Sequence, residues 1–200
     1  MTPTLIVVTG APGSGKTTIA VPLARRLGVS LIAKDELKEA LWEHLGPGDR
    51  DRFLAYGRAS YPLMLLIARL MLVSGTSAMM EANFTPKWAA VELGQLQAVA
   101  PYRFVQILCR ADLGTCVARY RQRAETDRRH PMHRVGVEET LASLEERLRD
   151  GLWDEPIPLD GELFAVDTNP PGRPGRPWRR HRGSNPKTGS GCNLTPATAA

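Results

Sequence analysis

The stretch Leu5-Ile6-Val7-Val8-Thr9-Gly10-Ala11-Pro12-Gly13-Ser14-Gly15-Lys16-Thr17-Thr18 decides how this chain folds. From Gly10 to Thr17 it fits the pattern G-x-x-x-x-G-K-[ST], and it lies between an apolar run and the helix-like stretch 17–27, the context that pattern requires. Glycines let the backbone curl until successive N–H groups point at one place, which makes an anion nest at a helix N-terminus. Gly10, Pro12, Gly13, Ser14, Gly15, Lys16, Thr17 and Thr18 are therefore expected to surround the phosphates of a nucleoside triphosphate. Lys16 is expected to reach the β- and γ-phosphates, and the Thr17 hydroxyl to hold Mg2+.

Outward from this loop, the apolar pattern alternates between strand-like and helix-like periods, the sign of a parallel α/β sheet. Strands are predicted at about 5–9, 29–33, 76–80, 102–109 and 163–166, which makes five. The first helix carries Ile19, Ala20, Leu23, Ala24 and Leu27 on one face and stops at Gly28. Further helices are expected at about 36–45, 50–73, 86–99, 112–126 and 137–149. Pro62 is expected to start or kink a segment rather than sit within the long one.

Two hundred residues suit one α/β domain, placed here at 1–169, with little room for a second. Residues 1–170 hold 20 Lys+Arg against 21 Asp+Glu, whereas 171–200 hold six bases and no acid. The whole-chain charge of +5 therefore comes from the tail, and the domain is close to neutral. Nucleic acid is not favoured as a partner, because its footprint needs basic residues on the folded face. The tail, 170–200, is rich in Pro, Gly and Arg and reads as disordered, with an electrostatic arm as the other reading. The apolar stretch 63–73 is interrupted by Arg69 and is too short to span a bilayer, so no membrane partner is expected. No secretory pattern opens the chain. Cys109, Cys116 and Cys192 are odd in number and form no C-x-x-C pair, which fits a reduced, cytoplasmic setting. Cys109 and Cys116 read as packing residues, as do Trp42, Trp88 and Trp153.

In a doubly wound sheet, ligands bind beyond the carboxyl ends of the strands. Strand two ends in Lys34-Asp35 and strand three in Glu81-Ala82-Asn83. Phosphoryl transfer needs positioning, charge neutralisation and a group to take the acceptor's proton. Asp35 is the expected general base, on the reasoning that strand two lies beside strand one; capping the helix that follows is the other role open to it. Glu81 ends a hydrophobic strand, where an acid can hold Mg2+ indirectly, contact the acceptor or simply be solvated. Lys34 and Asn83 are candidate acceptor contacts.

The basic segment of about 119–136 reads as a lid, with a solvated basic helix end as the plainer alternative. Arg119 and Arg123, four apart on a helix, share a face, and Arg128, Arg129, His130, His133 and Arg134 follow. Guanidinium groups bind phosphate oxygens bidentately, and one brought over a triphosphate stabilises transition-state charge and closes water out. His130 and His133 have a metal-like spacing, but no nearby Cys or acidic set completes a zinc site.

With these residues in place, about 4–168 resembles the small P-loop kinases grouped with AAA-type ATPases, among them phage polynucleotide kinase, the zeta-toxin kinases and chloramphenicol phosphotransferase. The most specific pieces are residues 5–18, Ile32-Ala33-Lys34-Asp35-Glu36-Leu37-Lys38, residues 80–84 and Arg128-Arg129-His130-Pro131-Met132-His133. The resemblance implies a three-layer P-loop NTPase fold with an Arg-rich lid, and transfer of the γ-phosphate of ATP to a hydroxyl with Mg2+. It puts Asp35 in the place of the acceptor-activating aspartate, and Arg119, Arg123 or Arg128 in that of the lid arginines. A small hydroxyl compound is the expected acceptor; a polynucleotide 5′-hydroxyl kinase and a non-catalytic ATP-binding regulator are the alternatives. Such kinases continue past the last strand into a final helix, whereas here Asp167-Thr168-Asn169 runs straight into the tail.

Overall fold

The computed structural model describes residues 2–126 and 129–171. Strand β1 (Thr4–Thr9) lies at the centre of a five-stranded parallel sheet, between β3 (Ala78–Glu81) and β4 (Arg103–Arg110). Strands β2 (Ser30–Ala33) and β5 (Glu162–Asp167) form the edges, in the order β2-β3-β1-β4-β5. Alternation along β1 builds three layers. Leu5 and Val7 meet Met64, Ala68 and Leu72 of α3 (Arg50–Val73) together with Leu93 and Leu96 of α4 (Pro86–Val99). Ile6 and Val8 turn the other way, against Ala20 and Ala24 of α1 (Lys16–Leu27). Burial on both faces is why β1 reads as an unbroken apolar run, and each such buried Leu, Ile or Val contributes roughly 1.5–3 kcal/mol.

A third cluster joins α5 (Leu113–Glu125) to α6 (Val137–Arg149) through Cys116, Tyr120, Leu141, Leu144 and Leu148, with Trp153 beneath. Ala11 of the phosphate loop belongs to the same cluster, so the arginine-bearing α5 is seated directly on the loop end of the sheet. The turn after α5 contains a short 3-10 helix, Pro131–Arg134, where an open loop was expected.

Three sequence expectations need correction. Strand two does not lie beside strand one: β3 pairs with both and separates them. Strand order is set by which crossovers pack, not by any local signal. Asp35 does not precede its helix, because α2 (Lys34–Leu45) begins at Lys34 and Ala33 is its cap residue, with no side-chain cap. Asp35 instead lies in the first turn, where a carboxylate favourably faces the positive end of the helix dipole. Finally, α3 runs through Pro62 without a break. The carbonyl that Pro62 leaves without a partner belongs to Arg58, which is exposed to water. The Ser60 hydroxyl meanwhile donates to the Tyr56 carbonyl at 2.7 Å within the same turn of helix.

Among the described residues no helix is long and apolar enough to cross a membrane. The tail reading falls from 172 onward outside the described residues, as do Arg128 and Cys192.

Candidate active site

The phosphate loop leaves β1 through Gly10 and enters α1 at Lys16, with φ of 142°, 85° and 80° at Gly10, Gly13 and Gly15. Sterics as well as φ demand glycine at two of these. A Cβ on Gly10 would strike the Cys109 carbonyl of the neighbouring β4, and one on Gly13 the Cys116 carbonyl of α5. Ser14 N–H donates to the Ala11 carbonyl at 3.0 Å, closing the curl, and Lys16 Nζ donates to the same carbonyl at 2.9 Å. The pairing of Val8 with Glu81 brings the end of β3 level with the loop, where Thr17 Oγ1 donates to Glu81 Oε2 at 3.2 Å. Burial lowers the Lys16 pKa against the pull of Glu81 and Asp35. Burial likewise raises that of Glu81, against the pull of Lys16.

The loop is buttressed from behind. Thr168, just past β5, has one Oγ1 hydrogen shared between the Ser14 carbonyl at 2.8 Å and the Arg110 carbonyl at 3.0 Å. Arg119 donates to the Thr168 carbonyl at 2.6 Å and, weakly, to the Gly13 carbonyl at 3.5 Å. Arg119 does not line the cavity in front of the loop. Arg123, one turn later on α5, does.

That cavity measures about 500 Å3. Pro12, Gly13, Lys16 and Thr17 form one end, and Lys34, Asp35, Glu81, Asn83, Arg123 and Arg129 surround it. Gly10, Ser14, Gly15 and Thr18 shape the loop without lining the cavity. The Asp35 side chain is 55% accessible because it opens onto this space. Enclosure alone would raise its pKa, but Lys34, whose Nζ is 3.9 Å away, together with His133, Arg129 and Lys16, holds it below the usual carboxylate value. Arg129 stands over the Tyr120 ring at 5.5 Å and keeps one buried guanidinium nitrogen without a hydrogen-bond partner among the described residues. Asn83 is fixed by Tyr61, whose hydroxyl donates to both its carbonyl and its Oδ1 at 3.3 Å, and by the Trp153 indole, which donates to its carbonyl at 3.4 Å. Trp153 thus packs, as expected, but also lines the cavity.

Each of the two histidines of this segment faces one acid: His133 Nε2 meets Glu39 Oε1 at 2.6 Å and His130 Nε2 lies 3.5 Å from Glu43 Oε1. These pairs pin the 3-10 turn onto α2, and among the described residues no group of three such ligands could hold a metal. Lys38, Arg50, Arg58 and Arg147, to which the sequence assigned no site role, also line the cavity. Their signal was helical spacing: Arg50, Phe53, Leu54, Gly57, Arg58 and Tyr61 put one stripe of α3 on the cavity, and Thr140, Ser143, Leu144 and Arg147 one stripe of α6.

A family profile described as "AAA domain" matches residues 5–147. A candidate kinase from Chloroflexus aurantiacus J-10-fl is similar at 34% identity, over 84% of this chain and 90% of that one, with a TM-score of 0.77. A chain of the Pnkp1/Rnl/Hen1 RNA repair complex aligns at 19% identity over 74% of this chain and 46% of its own, with a TM-score of 0.50, a likeness of fold alone. A gluconokinase from Sinorhizobium meliloti 1021 aligns at 18% identity over 86% and 85%, with a TM-score of 0.46. No curated protein is found to match. The chain belongs to the AAA domain family and has a kinase-like P-loop fold.

Proposed function

We propose that this protein is an ATP-dependent phosphotransferase that moves the γ-phosphate of ATP to a hydroxyl of a small molecule. The observation that carries this reading is the Asp35 carboxylate, open to a cavity that has the phosphate loop at one end and surrounded by cations. A protein that only sensed nucleotide would need no carboxylate facing an acceptor space.

In this reading the loop N–H groups hold the β- and γ-phosphates and Lys16 spreads their charge. Thr17 Oγ1 and Glu81 offer hard oxygen donors of the kind Mg2+ takes, and Mg2+ held there would neutralise phosphate charge. Asp35 accepts the acceptor's proton as the hydroxyl oxygen attacks the γ-phosphorus and ADP leaves. Its cationic neighbours keep Asp35 ionised and so able to take that proton. Arg123 and Arg129 stabilise charge on the transferred group and keep water out. Arg119 positions the loop. Arg128 belongs to the same segment by sequence and carries only that expectation.

The test is a screen of hydroxyl compounds, a 5′-hydroxyl oligonucleotide among them, with γ-labelled ATP and Mg2+. Wild type should label a small alcohol, and Asp35→Asn should keep its ATP affinity while turnover falls roughly 10^2–10^4-fold. Preferential labelling of the oligonucleotide, or slow hydrolysis with no labelled acceptor anywhere, would count against the proposal.

A further inference from the structure

The acceptor end of the cavity is strongly cationic, although the domain as a whole is close to neutral. Lys38, on the same face of α2 as Lys34 and Asp35, is only 4% exposed. Its ammonium sits 2.8 Å from the centroid of the Phe53 ring and makes no hydrogen bond or ion pair among the described residues. Gly57 of α3 packs beside it, 3.5 Å being the distance from an added Cβ to Lys38 Cε, an ordinary contact. Lys34, Arg50 and Arg129 all repel it, and Asp35 is the carboxylate that relieves it; this crowding and, above all, burial bring its pKa down to about 6. Arg50 is already oriented, donating to the Gly136 carbonyl at 2.9 Å and to Thr140 Oγ1 at 2.7 Å.

A buried amine with no counter-charge tends to give up its proton, and a ligand that supplies the counter-charge restores it. The nucleotide does not account for Lys38 and Arg50. Lys16 and Glu81 act on each other and on Asp35, whereas Lys38 acts on Lys34, Asp35, Arg50 and Arg129. Asp35 and, through Glu81, Lys34 are common to both sets.

We propose that the acceptor is an anion as well as an alcohol: a small hydroxy compound bearing a carboxylate or a phosphate, whose anionic group docks against Lys38 and Arg50, with Arg147 at the rim, while its hydroxyl meets Asp35. Phe53, beside Lys38 and Arg50, and Tyr61, beside Lys34, add apolar lining. This rests on the phosphotransferase reading above.

Two arms test it. In the first, matched acceptors on two scaffolds are compared with γ-labelled ATP: glycerol, glycerate and glycerol 3-phosphate, then glucose, gluconate and glucose 6-phosphate. A charged member should exceed its neutral parent at least about tenfold in kcat/KM, the size of one charge-assisted hydrogen bond. Carboxylate and phosphate members tell the two sources apart. Neutral parents accepted equally well would overturn the proposal and leave the kinase reading standing.

The second arm does not depend on turnover. With the loop saturated by Mg2+ and a non-hydrolysable ATP analogue, sulfate is titrated calorimetrically into wild type, Lys38→Met and Arg50→Gln. Sulfate should bind wild type with uptake of a proton at pH 8, and at least about tenfold more weakly in each variant, while analogue affinity stays the same. No sulfate heat in wild type, or equal affinity in all three proteins, refutes the anion pole. Failure of wild type to bind the analogue refutes the nucleotide reading beneath it, and the proposal with it.

Discussion

Arg119 and Arg123 share a helix face and a residue type, yet the structure gives them opposite surroundings, and Arg119→Ala tests that difference. The substitution removes a 2.6 Å charge-assisted bond to the Thr168 carbonyl and a marginal 3.5 Å contact to Gly13. A hydrogen bond to a charged group is worth about 1.5–3 kcal/mol; the longer contact adds little. At about 2–4 °C per kcal/mol for a domain of this size, the melting temperature should fall roughly 3–12 °C. The loop should loosen with it, because Thr168 also braces Ser14 at 2.8 Å, and turnover should fall less than about tenfold. A charge-stabilising lid arginine would behave in the opposite way, losing about 10^3–10^5 in turnover with an unchanged melting point. Arg123→Ala, measured in parallel, should show that second pattern. Both proteins are assayed by differential scanning calorimetry and by release or transfer of label from γ-labelled ATP. If Arg119→Ala melts like wild type while its turnover collapses, the positioning role is wrong and Arg119 acts on phosphate.

Gly13→Ala should be among the most damaging single-methyl changes in the chain, because the new Cβ would press into the Cys116 backbone at a φ of 85°; a Mg·ATP dissociation constant within twofold of wild type would contradict the loop geometry. Lys38→Met should raise the melting temperature of the ligand-free protein. The folded pKa of about 6 lies below the unfolded 10.5, so between those values the unfolded chain binds the extra proton and wild-type stability climbs with pH, by up to about 1.4 kcal/mol per unit. The variant's advantage should therefore be largest at pH 6 and vanish near pH 10.5; a constant offset across that range would show that Lys38 is not held neutral.

The phosphate loop was legible because it is local: glycine spacing, a preceding apolar run and a following helix all lie within about twenty residues. The three layers were legible for the same reason, through the alternation of Leu5 and Val7 against Ile6 and Val8. The place of β3 between β1 and β2 was not, since it depends on how α1 and α3 pack across the sheet. Strand two does not lie beside strand one, yet the cavity reaches Asp35, because β2 and β3 end level with each other, Ala33 pairing with Glu81. Arg119 could not be told from Arg123 because its partner, Thr168, is 49 residues away in the chain. Lys38 and Arg50 were passed over because charges on a helix usually face water, and only the closing of α2, α3 and α6 around one space turns them inward.

The central claim is that the curled backbone from Gly10 to Thr17 grips a triphosphate through Lys16. Isothermal titration of Mg·ATP into wild type and Lys16→Ala tests it most directly. A saturable one-to-one isotherm in wild type, weakened at least about tenfold in the variant, is the predicted result; no binding to folded wild type, or the same isotherm in both, would contradict it.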